Sequence, residues 1–187
     1  MIYLISDLHL DYKNIIKYCD RPFSSVEEMN RTIIDNWNEV VNEDDFVYLV
    51  GDLAFGRKRT KIRYGLKKMN GNIILLLGNH DKGYLKSVPH AEKCVLTYGG
   101  KKFLLIHDLG KVREWDGWII HGHEHNNKPE KYPFMNGKNK TINVSVELIN
   151  YSPISIDFLV DKIDNTIYWE AIDKEPAYKK RFSHSFC

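Results

Sequence analysis

The chain has 187 residues, with 27 Lys and Arg against 25 Asp and Glu for a formal net charge of +2. That length suits one domain with a substantial core, and 43% hydrophobic with 28% charged residues exclude a collagen, a coiled coil or wholesale disorder. The near-neutral total supplies no global attraction to DNA or to a membrane, a local patch aside, and leaves eight histidines to explain.

Met1 to Ser6 is an apolar run closed by a polar burst, the form of a strand buried on both faces that hands over to a functional loop at Asp7. No basic stretch precedes it and no later window reaches about 18 apolar residues, so neither a signal peptide nor a membrane-spanning helix is expected. Cys19, Cys94 and Cys187 lie far apart without a C-x-x-C pair, which points to a reducing, cytoplasmic setting. After Arg21-Pro22-Phe23, a capping box in Ser24/Glu27 or Ser25/Glu28 opens a helix whose apolar residues Val26, Met29, Ile33, Ile34, Trp37, Val40 and Val41 recur at helical spacing. Residues 46–50 and 73–77 read as buried strands ending at Gly51-Asp52 and Gly78-Asn79, with a basic helix over 57–69 between them. Strands follow at 94–98, 103–106, 118–120 and 142–146, the first two joined by a Gly99-Gly100 turn. Ser155 caps a short helix through about Ile163, a strand occupies 167–172, and 176–187 is a polar, partly basic tail of the same single domain.

Five separated segments share one arrangement: an apolar run ends and Asp, Asn or His follows. They are Asp7-Leu8-His9, Gly51-Asp52, Gly78-Asn79-His80-Asp81, His107-Asp108 and Gly122-His123-Glu124-His125. Ligands of open α/β sheets gather at the carboxyl ends of strands, so these segments are expected to converge. In extended backbone, residues i and i+2 point to one side, so Asp7 with His9, and His123 with His125, each present two donors. Mixed imidazole, carboxylate and amide donors suit Mn, Fe, Zn, Ni or Co, whereas Ca²⁺ prefers oxygen alone.

In residues and order, these segments resemble the calcineurin-like metallophosphoesterase family, whose pattern runs D-x-H, G-D, G-N-H-[DE], a lone H and G-H-x-H. The resemblance spans residues 7–125. It implies an α/β fold, a four-layer α-β-β-α sandwich of two mixed sheets flanked by helices. It further implies two divalent metal ions, with Mn favoured: Asp7, His9 and His125 on one, Asn79, His107 and His123 on the other, and Asp52 bridging. The implied reaction is in-line attack on phosphorus by a metal-bridging hydroxide, with His80 as general acid and Asp81 as a partner that could orient a histidine.

Asn79, Asn14 and Arg57 are the candidate positions for meeting a substrate phosphate, Asn14 being equally suited to capping the chain from Ile15 and the basic run that holds Arg57 reading first as a solvated helix face. His121 is expected to be a packed strand histidine or a partner of the ligands rather than a third local ligand, and His90 and His184 surface residues. Trp115, Trp118, Tyr168 and Trp169 read as core packing rather than base-stacking residues. Phe55 stands where protein Ser/Thr phosphatases of the superfamily carry a second Asp, which argues against that activity. The Lys13-Asn14-Ile15-Ile16 and Arg21-Pro22-Phe23-Ser24 segments are similar to small bacterial and phage phosphoesterases. The expected substrate is a small-molecule phosphate ester, a nucleotide foremost and a diester ahead of a monoester. A nuclease using the basic run over 57–68, and a non-catalytic scaffold, are the alternatives.

Overall fold

The computed structural model describes residues 1–54, 66–81, 90–174 and 177–178, and in them the alternation of short apolar runs with polar loops produces two mixed β-sheets with flanking helices. The fold class expected of the sequence, two mixed sheets with flanking helices, is the one observed. The first sheet runs β10-β1-β2-β3-β4. Here β1 (Ile2–Ile5), β2 (Phe46–Val50), β3 (Asn72–Leu76) and β4 (His90–Ala91) are mutually parallel, and β10 (Ile154–Ser155) is antiparallel at the edge. The second runs β12-β11-β8-β9-β7-β6-β5, in which β6 (Lys101–Ile106), β7 (Trp118–His121) and β9 (Thr141–Asn143) form its parallel centre. β5 (Lys93–Tyr98), β8 (Met135–Asn136), β11 (Thr166–Trp169) and β12 (Ala177–Tyr178) pair antiparallel around it.

The buried runs of β1, β2 and β6 carry Leu4, Ile5, Leu49, Val50, Phe103 and Leu105 into one continuous core. Helix α2 (Val26–Val40) is capped by Ser25, whose Oγ accepts the Glu28 N–H at 3.1 Å, while the Glu28 carboxylate reaches back to the Ser24 N–H at 2.8 Å. Its Met29, Ile33 and Trp37 are buried, as their spacing predicts. Ser155 caps α3 (Ile156–Ile163) through Phe158 N at 3.2 Å. The Gly99-Gly100 turn is a tight hairpin because both residues hold φ near the left-handed region, +55° and +72°.

The strands expected over 142–146 and 167–172 end early, at Asn143 and Trp169. Strand β9 stops at Asn143, because the Asn143 side chain accepts both the N–H (3.1 Å) and Oγ–H (2.7 Å) of Ser145, turning the chain into a single 3₁₀ turn over Val146–Leu148. A short helix α1 (Lys13–Tyr18) occupies the loop after β1. Most of the helix expected over 57–69, and most of the tail, lie outside the described residues. Among the described residues, no helix is long and apolar enough to cross a membrane. Trp118 and Trp169 are buried and Trp115 and Tyr168 half-buried, with Trp169 edge-on to Phe134 at 5.3 Å.

Candidate metal centre

All seven expected ligands come together, and each stands just past the carboxyl end of a strand. Asp7 and His9 follow β1, Asp52 follows β2, Asn79 follows β3, His107 follows β6, and His123 and His125 follow β7. The two sheets meet here through Ser6, which donates its N–H to Val144 O (2.9 Å) and pairs with Ser145. Close packing explains the glycines of the motifs. A Cβ on Gly122 would collide with Ser6 and the Asp7 carboxylate, one on Gly78 with the Asp52 carboxylate.

One oxygen of Asp7 is saturated and the other is left open. Its Oδ2 accepts the His123 N–H (3.0 Å) and the Ser6 Oγ–H, and lies 2.9 Å from Ser145 Oγ. Its Oδ1 is buried without a hydrogen-bond partner and stands 3.9 Å from His9 Nε2 and 3.7 Å from His125 Nε2. Both ring nitrogens of His9 are likewise buried and unpartnered among the described residues. Asp52 lies between the two halves, its Oδ2 3.5 Å from His9 Nε2 and 3.4 Å from His107 Nε2. Asn79 Oδ1 gathers the other half, 3.0 Å from His107 Nε2 and 2.9 Å from His123 Nδ1.

Buried polar atoms without partners cost free energy unless something satisfies them. A divalent cation is what the open donors of Asp7, His9 and His125 fit. Asp7, His9 and His125 form one cluster with metal-ligand spacing, and Asp7, Asp52 and His107 another.

The electrostatics agree with cation sites. Burial opposes the charged form of Asp7, yet the imidazoles of His125, His107 and His9 and the Ser6 hydroxyl outweigh it and hold its carboxyl well below the usual range. Burial also lowers His9, to about 4, leaving a neutral imidazole with a lone pair to donate. His107 is raised to about 9 despite its burial, chiefly by the hydrogen-bonded Asp52 and by Asp7. His125 is raised to about 11, again against burial, by Asp7 and Glu147. A bound cation would displace those protons.

His80 is exposed at the mouth of the centre. Its N–H donates to Asp52 Oδ1 at 2.9 Å, and its ring stands edge-on to that of His9 at 5.3 Å. Asp81 is buried and accepts three main-chain N–H groups, those of Asp52 (2.7 Å), Gly78 (2.8 Å) and Leu53 (3.2 Å), so it ties the ends of β2 and β3 together. Asn14 is exposed on α1, whose N-terminus has no side-chain cap, and its side chain bonds Tyr12. Tyr12 lies 5.9 Å from the His9 ring. Arg57 and His184 lie outside the described residues. His121 is fully buried on β7, as expected, with Nδ1 3.0 Å from Gly122 O. His90 is exposed on β4.

Two residues of the centre escape sequence reasoning. Glu147, on the 3₁₀ turn, lies 3.0 Å from His125 Nδ1, and Arg21 contacts Glu147 from across the fold. The signal was a lone acid inside the apolar run Val144-Ser145-Val146-Glu147-Leu148.

The chain is 53% identical over 167 residues to the uncharacterised protein MJ1445 of Methanocaldococcus jannaschii, covering 87% of this chain and 91% of that one. A shorter stretch of 78 residues is 33% identical to the Gene 66 protein of Mycobacterium phage L5, covering 41% of this chain and 37% of that one. The crystal structure of AQ665 from Aquifex aeolicus, a protein of unknown function, superposes with a TM-score of 0.70 at 26% identity, covering 87% of this chain and 98% of that one. The model of the calcineurin-like phosphoesterase family matches residues 1–181, and the chain belongs to that family.

Proposed function

We propose that the protein is a binuclear metal-dependent phosphodiesterase acting on a small phosphate ester, a nucleotide foremost. The observation that carries this is the convergence of six donor residues around Asp52, with Asp7 Oδ1 and both nitrogens of His9 buried and open. Asp7, His9 and His125 would hold one cation, Asn79, His107 and His123 the other, and Asp52 both. When bound, such ions, Mn²⁺ foremost, lower the pKa of coordinated water toward neutrality and offset the charge of the ester.

The chain supplies the rest. A departing alkoxide is poor until protonated, and His80, exposed beside the centre, would deliver that proton. Its N–H bond to Asp52 ties its position to the centre. Asp81 holds the Asp52 main chain and so the carboxylate that both halves share. An aromatic ledge supports the nucleotide preference: the Tyr12 ring is 5.9 Å from His9 and 6.2 Å from the ring of Tyr18, itself 65% exposed. A base can stack on such a face while its phosphate reaches the centre.

The test is hydrolysis by metal-reconstituted protein of a chromogenic phosphodiester, a chromogenic monoester, cyclic and linear dinucleotides, nucleoside monophosphates and short RNA. His80→Ala is expected to lower kcat by roughly 10²–10⁴-fold with metal still bound, and Asp52→Asn to abolish turnover. Activity on monoesters alone would overturn the diester preference, and unchanged turnover in His80→Ala would overturn its role as acid.

A further inference from the structure

Arg21 opens the Arg21-Pro22-Phe23 segment and is buried, with no exposure of its side chain. Its Nε and Nη2 donate to Glu147 Oε1 at 2.9 and 2.7 Å, its Nη2 to Asp7 O at 2.7 Å and its Nη1 to Leu8 O at 2.9 Å. The same Glu147 oxygen lies 3.0 Å from His125 Nδ1. Burying an ion pair brings little net stability against apolar residues of similar volume. What this pair touches accounts for it better: the main chain that presents Asp7 and His9, and the far edge of His125.

We propose that Arg21 and Glu147 are positioning residues that preset the Asp7–His9–His125 half of the centre for a divalent cation. Glu147 accepts Nδ1–H of His125, which aims Nε2 at Asp7 Oδ1, 3.7 Å away. A cation that displaces the Nε2 proton would meet both atoms at once. Arg21 spans the same carboxylate and the carbonyls of Asp7 and Leu8, so the loop carrying Asp7 and His9 keeps its distance from His125. A planar fork with several fixed donors suits this task, and a lysine ammonium does not. The inference rests on the metal-centre reading above.

Titration of the full chain with Co²⁺, followed by calorimetry and by visible absorption, tests it. Glu147→Gln keeps the shape but loses the charge, and is expected to weaken one of two Co²⁺ equivalents by roughly 10–100-fold and to alter the absorption at saturation. Arg21→Lys is expected to fall between it and the wild type. Glu147→Asp retains charge opposite Arg21 while withdrawing from His125, and decides the matter if Glu147→Gln does not fold. Wild-type affinity and absorption for both equivalents in a folded Glu147 variant overturn the proposal alone. Failure of the wild-type chain to bind Co²⁺ overturns the metal-centre reading and this proposal with it.

Discussion

Asp7, His9, Asp52, His123 and His125 all hold positive φ, at 60°, 48°, 55°, 73° and 51°. Each such residue costs on the order of 1–2 kcal/mol, and their clustering on five of the seven proposed ligands marks strain kept for geometry. The gain is directional. Successive N–H groups of an extended strand point opposite ways, yet His9 and Leu10 donate to Asp52 O (3.0 Å) and Leu53 O (3.1 Å) in the same neighbour. Pleat alternation predicts that Asp7 and His9 converge. They do so, but through left-handed residues. A titrating residue beside the centre gives a pH prediction. Burial, then Glu147, raises the Tyr151 phenol far above its usual value of about 10. Above pH 10 the unfolded chain loses this proton while the folded one keeps it, so stability falls as pH rises. Tyr151→Phe is expected to flatten that alkaline loss relative to wild type, measured as urea midpoints at pH 9 and pH 11.

Helices and strands were legible where periodicity and turn chemistry agreed. The β2 run over 46–50 matches its predicted ends, and α2 and α3 begin at the serines expected to cap them. Ser25→Ala removes the acceptor for Glu28 N–H and is expected to lower stability by about 1 kcal/mol, read as a shifted urea midpoint with unchanged slope. Elements whose formation depends on distant partners were not legible. Helix α1 is only six residues and lacks a cap, so its signal was one buried Ile15. β8 and β10 are two-residue strands that exist because β9, β11 and β1 supply their hydrogen bonds. The early end of β9 came from the Asn143 side chain competing for Ser145, which an apolar pattern does not encode.

Across the whole molecule, the centre joins two sheets. Asp7, Asp52 and Asn79 extend from the parallel strands β1, β2 and β3, while His107, His123 and His125 extend from β6 and β7 of the other sheet. Cations held by both sets would clamp the sheets together, and ligands that bind only the folded state stabilise it. At 100 times Kd this amounts to about 2.7 kcal/mol, or roughly 5–10 °C in Tm for a chain of this size. Thermal melts with saturating Mn²⁺ and with excess chelator should differ by that amount. Equal melting temperatures would count against metal-linked stability.

The donor residues that gather at the centre, their order and the strands that deliver them were determined by the sequence alone, because chemistry-bearing residues at strand ends leave a local imprint. Family membership followed from the same pattern. The tertiary structure decided which oxygen of Asp7 is spent on hydrogen bonds, which halves Asp52 joins, and that Asp81 anchors main-chain N–H groups. It also decided that Arg21 and Glu147, 126 positions apart, meet behind His125. Such contacts are set by how two sheets close on each other. The packing of buried charge against distant backbone carbonyls has no sequence period to betray it.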